Sequence, residues 1–341
     1  MSLFIDGIIY SLQKHGGISV YFNELLKRLM HSDINTKISF YPNASQAIEE
    51  LSGNINVNQG LRVLERYRDV ASIDSDVFHS SYYRLPKNKN IKIVTTVHDF
   101  TYEKFFPIYK RVVHSTQKKR AILASDAIIC VSENTKKDLI NLLPDFDRSK
   151  IHVVYNGVNE CFKYICLPPD DYAIFIGSRA DYKGFKESVR ALTNLNFLRL
   201  VIVGGGRLSP AEKEFLEQKL PARYEYKPFV TNEELNRLYN EAFCLLYPSL
   251  YEGFGIPPLE AMSAGCPVIA LNISSIPEIV PYHQFLCADN EPDTIVDRIL
   301  LLKNDILLRN ELINLGIQKA KWFSWDIMYK QTVDIYKDLG A

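Results

Sequence analysis

The sequence has no long apolar run; its longest, such as Ala242–Tyr247 and Leu200–Val203, fall far short of the ~20 residues that cross a bilayer. It opens on Ser2-Leu3-Phe4-Ile5-Asp6 with no basic-then-apolar leader, so a cytoplasmic chain is expected. It has no charge excess: 40 Lys and Arg stand against 40 Asp and Glu. The basic surplus typical of nucleic-acid binders is missing, and no nucleic-acid partner is expected. Six cysteines are present, at 130, 161, 166, 244, 266 and 287, but no two have the C-x-x-C spacing of a zinc site. Cys130, Cys244 and Cys266 lie in or beside apolar strand-like runs and read as buried thiols; Cys161 and Cys166 are given no role. Low-complexity tracts and short repeats are lacking too.

What is present is an ordinary globular composition, 47% hydrophobic and 23% charged, over 341 residues. That length suits about two domains. Strand-like and helix-like periods alternate. The first half reads as strands at 2–6, 37–41, 77–79, 91–97, 127–131 and 151–155, with helices at 18–30, 107–123 and 134–142. The second half reads as strands at 172–176, 199–203, 224–226, 243–247, 267–270 and 284–286, with helices at 184–193, 210–220, 232–241, 258–264 and 293–302. Helices at 305–322 and 326–339 follow, the last after a Ser324 cap. Runs such as Ala127-Ile128-Ile129-Cys130-Val131 are apolar on both faces, the mark of parallel strands covered by helices. The pattern predicts an α/β protein of two Rossmann-like, doubly wound domains, with turn signals at Asn156-Gly157, Pro168-Pro169 and Asp170-Asp171 marking the seam. Net charge is divided between the halves: residues 1–155 carry 21 basic and 16 acidic side chains, and residues 156–341 carry 19 and 24.

Ligands of such sheets bind beyond the carboxyl ends of strands, where helices begin. The densest motif there is Tyr247-Pro248-Ser249-Leu250-Tyr251-Glu252-Gly253-Phe254-Gly255-Ile256-Pro257-Pro258-Leu259-Glu260. It runs from a strand through a glycine turn into a helix. Its glycines let backbone N–H groups approach an anion or a sugar, and its two carboxylates can accept hydrogen bonds from hydroxyls. Ile176-Gly177-Ser178-Arg179-Ala180-Asp181-Tyr182-Lys183-Gly184 also joins a strand to a helix, and places two cations where an anionic leaving group would need them.

Glu252 and Glu260, seven residues apart in this context, resemble the E-x7-E motif of retaining glycosyltransferases with the GT-B fold. The wording Pro248 to Gly255, with Ala264-Gly265-Cys266-Pro267 and Ile276-Pro277-Glu278, is similar to glycosyltransferase family 4 in particular. That resemblance implies two such domains facing a cleft: an N-terminal acceptor domain at 1–155, a nucleotide-sugar domain at 156–320, and a tail helix at 321–341 returning to the first. It implies that Glu260 binds the ribose hydroxyls of a nucleotide-diphosphate sugar, that Glu252 holds the donor sugar, and that Gly253, Phe254 and Gly255 line its pocket. Arg179 and Lys183 would clamp the diphosphate. Val230, in Phe229-Val230-Thr231, would meet the base through its backbone. The His15-Gly16-Gly17 turn would face the diphosphate and the acceptor, and His98, ending Thr95-Thr96-Val97-His98-Asp99, would lie near the reacting sugar. The catalytic set is then Glu252, His98, Arg179 and Lys183. Asp99 is open between orienting His98 and capping the next turn. Trp322 and Trp325 are expected in packing roles.

No cofactor is implied, the nucleotide sugar being the substrate, and no metal is expected: Asp74-Ser75-Asp76 spells D-x-D but precedes its strand. The implied activity is retaining hexosyl transfer to a glycan or lipid-linked acceptor in surface-polysaccharide or lipopolysaccharide synthesis, leaning to GDP-mannose as donor. Another GT-B enzyme, an epimerase or a phosphorylase, and a non-catalytic nucleotide-sugar-binding protein stay open beside it. Residues 104–120 hold Lys104, Lys110, Arg111, Lys118, Lys119 and Arg120 with no acid. Two roles stay open for them: a face against anionic lipid or a lipid-linked diphosphate, and a solvated helix surface.

Overall fold

The computed structural model describes residues 1–13, 16–41, 55–57, 64–71 and 73–340; of Ile55, Asn56 and Lys110 it describes the backbone alone. Expectations placed on His15 and on the Lys110 side chain lie outside the described residues. The chain divides into one unit of Met1–Gly157 with Trp325–Ala341, and a second of Val158–Ser324.

In the first unit the described strands are β1 (Ser2–Asp6), β2 (Asn35–Phe40), β3 (Ile55–Val57), β4 (Val77–Ser80), β5 (Lys92–Val97), β6 (Ala127–Cys130) and β7 (Ile151–Val153). They form a sheet in the order β3-β2-β1-β4-β5-β6-β7, every pairing parallel. In the second unit β8 (Tyr172–Ile176), β9 (Arg199–Val203), β10 (Tyr224–Lys227), β11 (Cys244–Tyr247) and β12 (Val268–Ala270) form a parallel sheet in the order β10-β9-β8-β11-β12. All residues of β4, β6, β11 and β12 are buried, as strands covered on both faces must be. In both sheets the first strand is flanked by its successor on one side and by a later strand on the other. The order therefore reverses between β1 and β4, and again between β8 and β11.

Local sequence sets the helices that flank the site. Pro210–Lys219 starts on a capping box of Ser209 and Glu212, and Asn232–Glu241 on one of Thr231 and Glu234. Such caps contribute about 1 kcal/mol each by satisfying first-turn N–H groups. Ser132 caps Glu133–Leu142 by accepting from the Thr135 N–H. Ile256–Ser263 starts after Gly255 with prolines in its first turn, where a missing N–H costs nothing.

Some expectations are corrected. Residues 284–286 are not a strand: His283–Phe285 is a 3-10 turn, and sheet contact there is an isolated Leu271–Cys287 bridge. The tail helix, Trp325–Gly340, belongs to the first unit, whereas Phe323 and Ser324 stay in the second, with Ser324 bridged to Val158. Trp325 is buried 6.5 Å from the Tyr21 ring. Trp322 is not packing material: it is 71% exposed, with the Lys319 ammonium over its ring. Cys130, Cys244, Cys266 and Cys287 are buried free thiols, and Cys166 is exposed. Among the described residues no helix is long and apolar enough to cross a membrane.

Candidate active site

In the second unit, the loops after β8 and β11 meet at the point where strand order reverses. Leu250 N–H donates to the Tyr182 carbonyl at 2.8 Å. Gly184 has φ +69°, and a Cβ there would collide with the Pro248 carbonyl oxygen, so only glycine lets the two loops close on each other. This contact brings Lys183, on the Asp181–Lys183 turn, to Glu252. Its Nζ donates to Oε1 at 2.6 Å and to Oε2 at 2.8 Å, with both side chains largely buried. The turn carrying Glu252 is fixed from behind. Its N–H donates to Ser274 Oγ, while Ser275 Oγ donates to the carbonyls of Glu252 and Phe254. Phe254 is buried with its ring edge-on to Phe323. Gly253 and Gly255 continue the turn into the helix that carries Glu260.

Glu260 accepts from the Tyr239 hydroxyl at 3.1 Å. Burial pushes its carboxyl up to about 8, against the opposing pull of that hydrogen bond. At neutral pH it is mostly protonated and can both donate and accept. Val230 is half-buried beyond β10, beside Phe229, which is largely exposed.

Arg179, four residues before Lys183, is bonded to the loop that follows β9 and to Glu212. Nε donates to Glu212 Oε1 at 2.7 Å, Nη1 to the Gly204 carbonyl at 2.9 Å, and Nη2 to the carbonyls of Gly206 and Arg207 at 2.8 and 3.0 Å. Its side chain is 4% exposed. A guanidinium has five N–H donors, and these four bonds draw on all three of its nitrogens.

In the first unit, Gly17 opens the helix Gly17–Met30 after an extended Gly16. That helix brings Tyr21 and Phe22 edge-on to His98, at 5.1 and 6.2 Å between ring centroids. His98 Nε2 is buried without a partner among the described residues. Burial pushes the imidazole down to about 4, so it is neutral at pH 7. Asp99 Oδ1 accepts from the Thr101 N–H at 2.9 Å, closing the turn that leads into the next helix.

Other polar groups have roles no local pattern showed. His79, inside β4, is fully buried between the Tyr336 hydroxyl (2.6 Å from Nδ1) and Thr96 Oγ1 (2.9 Å from Nε2). A histidine inside an otherwise apolar strand was the available signal, since a buried polar group needs partners. Half of the basic stretch is neutralised within the fold. Lys118 is buried against Glu103 and the Asp99 carbonyl, Lys104 pairs with Asp138, and Arg120 forks onto Asp69. Arg111 and Lys119 are exposed. So are Ile108 and Tyr109, at 67% and 65%, along with Phe105, Val112 and Val113.

Comparison with known proteins adds the following. Residues 15–160 match the family model described as Glycosyltransferase Family 4, and residues 167–319 the model Glycosyl transferases group 1. The chain is 28% identical over 286 residues to the O-antigen chain mannosyltransferase B of Escherichia coli, covering 76% of this chain and 74% of that one. Among solved structures it is similar to sucrose-phosphate synthase from Thermosynechococcus elongatus, with a TM-score of 0.81 and 17% identity over 99% of both chains. It is also similar to Anabaena HepE in complex with UDP-glucose, with a TM-score of 0.76 and 14% identity over 99% of this chain and 100% of that one.

Proposed function

Because the chain belongs to glycosyltransferase family 4 and has the GT-B fold, we propose that it is a retaining hexosyltransferase. Its donor is a nucleotide-diphosphate sugar, and its acceptor a glycan or lipid-linked glycan in polysaccharide assembly. The observation that carries this is the Lys183–Glu252 pair at the β8/β11 reversal, with Glu260 on the helix that follows. Lys183 takes the negative charge of the diphosphate, so that transfer needs no metal. Glu252, released from part of that pairing, accepts hydroxyls of the sugar, and Glu260 meets the ribose diol. Fixed charge beside a departing diphosphate favours the transition state over the ground state. The bond from the anomeric carbon to the diphosphate oxygen breaks, a bond to the acceptor oxygen forms on the same face, and a diphosphate oxygen receives the acceptor proton. Gly16 and Gly17 are the first unit's candidates for contact with the diphosphate and the acceptor, and the neutral His98 for contact with the reacting sugar.

Likeness to the Escherichia coli mannosyltransferase favours GDP-mannose; the UDP-glucose complex of Anabaena HepE makes UDP-sugars the second choice. Both are tested by a panel of nucleotide sugars read by thermal shift and donor hydrolysis, because the bound donor raises stability by mass action. GDP-mannose is expected to give the largest shift, a larger one from a UDP-sugar reverses the preference, and no shift from any of them overturns the donor site.

Residues 104–120 further support peripheral membrane contact. With Lys104, Lys118 and Arg120 already paired, the exposed Phe105, Ile108, Tyr109, Val112 and Val113 carry it by apolar insertion, with Arg111 beside anionic headgroups. Co-sedimentation with phosphatidylglycerol vesicles is expected to persist in high salt and to fall in Val112→Asp. Wild-type protein left in the supernatant at every salt concentration counts against it.

A further inference from the structure

The tail helix Trp325–Gly340 packs on β4, on β5 and on the helix Gly17–Met30. Beneath it runs a chain of buried polar groups that ends beside His98. The Tyr336 hydroxyl meets His79 Nδ1 at 2.6 Å, and His79 Nε2 meets Thr96 Oγ1 at 2.9 Å. Thr96 Oγ1 lies 3.5 Å from the Tyr21 hydroxyl, and Thr332 of the tail helix hydrogen-bonds that same hydroxyl. All five side chains are buried. A neutral imidazole has one donor and one acceptor nitrogen, so two hydroxyls satisfy His79 completely. The chain reaches His98 by two routes. Thr96 stands two residues before it at the end of β5, on the same face by strand alternation. Tyr21 turns its ring edge-on to His98, at 5.1 Å between centroids, and Phe22 lies edge-on to both histidines, at 5.2 Å from His79 and 6.2 Å from His98. His98 Nε2 has no partner among the described residues, so packing against these rings is what holds that side of the imidazole.

We propose that Tyr336 and His79 are positioning residues, and that the chain Tyr336–His79–Thr96–Tyr21 sets the angle at which His98 meets the reacting sugar. The carboxyl-terminal helix is then part of the site's construction as well as a strap on the first unit. This rests on the contact between His98 and the sugar proposed above. A buried polar chain has few arrangements in which every member is satisfied. Removing one hydroxyl leaves a buried nitrogen without a partner, and its neighbours move to recover one. Close-packed rings pass such a movement on, because a packed interior has no slack to absorb it. A second contact holds the same helix without touching this chain. Arg28 Nε donates to Asp326 Oδ1 at 2.6 Å, in a partly exposed pair seven residues beyond Tyr21 on the helix Gly17–Met30. It separates docking of the tail helix from positioning of His98.

The test uses the full chain, with GDP-mannose and UDP-glucose as donors, and reads nucleotide release, calorimetric binding of GDP and UDP, and the imidazole NMR signals of His98. Each variant is assayed well below its own unfolding midpoint. Tyr336→Phe keeps the ring and removes the hydroxyl. It is expected to lower kcat about tenfold while nucleotide affinity stays within about twofold, and to move the His98 signals. Thr96→Val, which keeps the shape and removes the hydroxyl, is expected to do the same, and Thr96→Ser, which restores the hydroxyl, to return kcat to within about twofold of the wild type. Tyr336→Phe added to His98→Ala is expected to cost nothing beyond His98→Ala alone, because Tyr336 acts through His98. Asp326→Asn loosens the helix elsewhere and is expected to leave both kcat and the His98 signals unchanged. An equal loss of kcat in Asp326→Asn and Tyr336→Phe assigns the effect to helix docking and overturns the proposal. So does a Tyr336→Phe chain with wild-type kcat and unmoved His98 signals, even where His98→Ala is inactive. Full turnover by His98→Ala instead removes the reading of His98 itself, and this proposal with it.

Discussion

The two sheets reverse strand order at the same place, between β1 and β4 in the first unit and between β8 and β11 in the second, yet they fill that place differently. In the first unit it is sealed by side chains. Asp6, ending β1, accepts from the Tyr41 hydroxyl and from Arg84 Nη1, both at 3.0 Å, and Arg84 Nη2 donates to Glu65 Oε1 at 2.6 Å. Asp6 and Arg84 are essentially out of solvent. In the second unit the corresponding place holds an ion pair that still touches water, Lys183 with Glu252, backed by the glycine turn. A reversal point is a crevice by topology. Whether it admits a ligand depends on whether its charges are already satisfied from inside.

The largest way to break this comparison is Arg84→Met. It leaves Asp6 and Glu65 buried without their cation, and is expected to cost ~3–5 kcal/mol of stability in urea unfolding. A loss below ~1 kcal/mol would mean that the first reversal point is no more sealed than the second. Lys183→Ala is next, and its effect falls on the reaction. Transfer is expected to fall about 10²- to 10³-fold while the unfolding free energy moves by no more than ~2 kcal/mol. Equal transfer by variant and wild type contradicts the role given to the pair.

Glu260 supplies a pH test of intermediate size. A carboxyl raised from 4.5 to about 8 keeps its proton in the folded chain and releases it on unfolding. Its contribution to stability is therefore complete below about pH 4.5 and is lost as pH rises toward 8. Glu260→Gln removes that dependence, so its melting temperature is expected to gain on the wild type from pH 5 to 8 and then to run parallel. A difference that does not change with pH refutes the raised carboxyl of Glu260. The smallest expected effect is that of a chelator: with Lys183 in the metal's place, donor turnover with excess EDTA should stay within about twofold of the untreated rate. A large loss would show that the ion pair does not meet the diphosphate charge by itself.

The parts of the fold legible in the sequence were those written in neighbouring residues. Double-sided apolar runs gave the parallel strands, and strand-to-helix turns marked the segments that carry Glu252 and Lys183, though not their pairing. What could not be read depended on partners far along the chain. Arg179 looked unpaired because its acceptors lie 25 to 33 residues away and three of them are backbone carbonyls, which have no sequence signature. The stretch 104–120 looked uniformly basic because Asp69, Asp138 and Glu103 fall outside it. The Tyr336 hydroxyl reaches His79 across 257 residues. Residues 284–286 had a strand's composition, but pair with the sheet only beyond their end, at Cys287.

The contact between Gly184 and the Pro248 carbonyl bears on how this enzyme can be re-engineered. Neither loop can be lengthened, shortened or replaced without its counterpart, because each is the other's template at the distance of a missing side chain. A chimera that exchanges either loop with a relative would therefore have to transplant 177–184 and 248–255 as a single cassette. Carrying over either half by itself would place a foreign turn against a surface shaped for another.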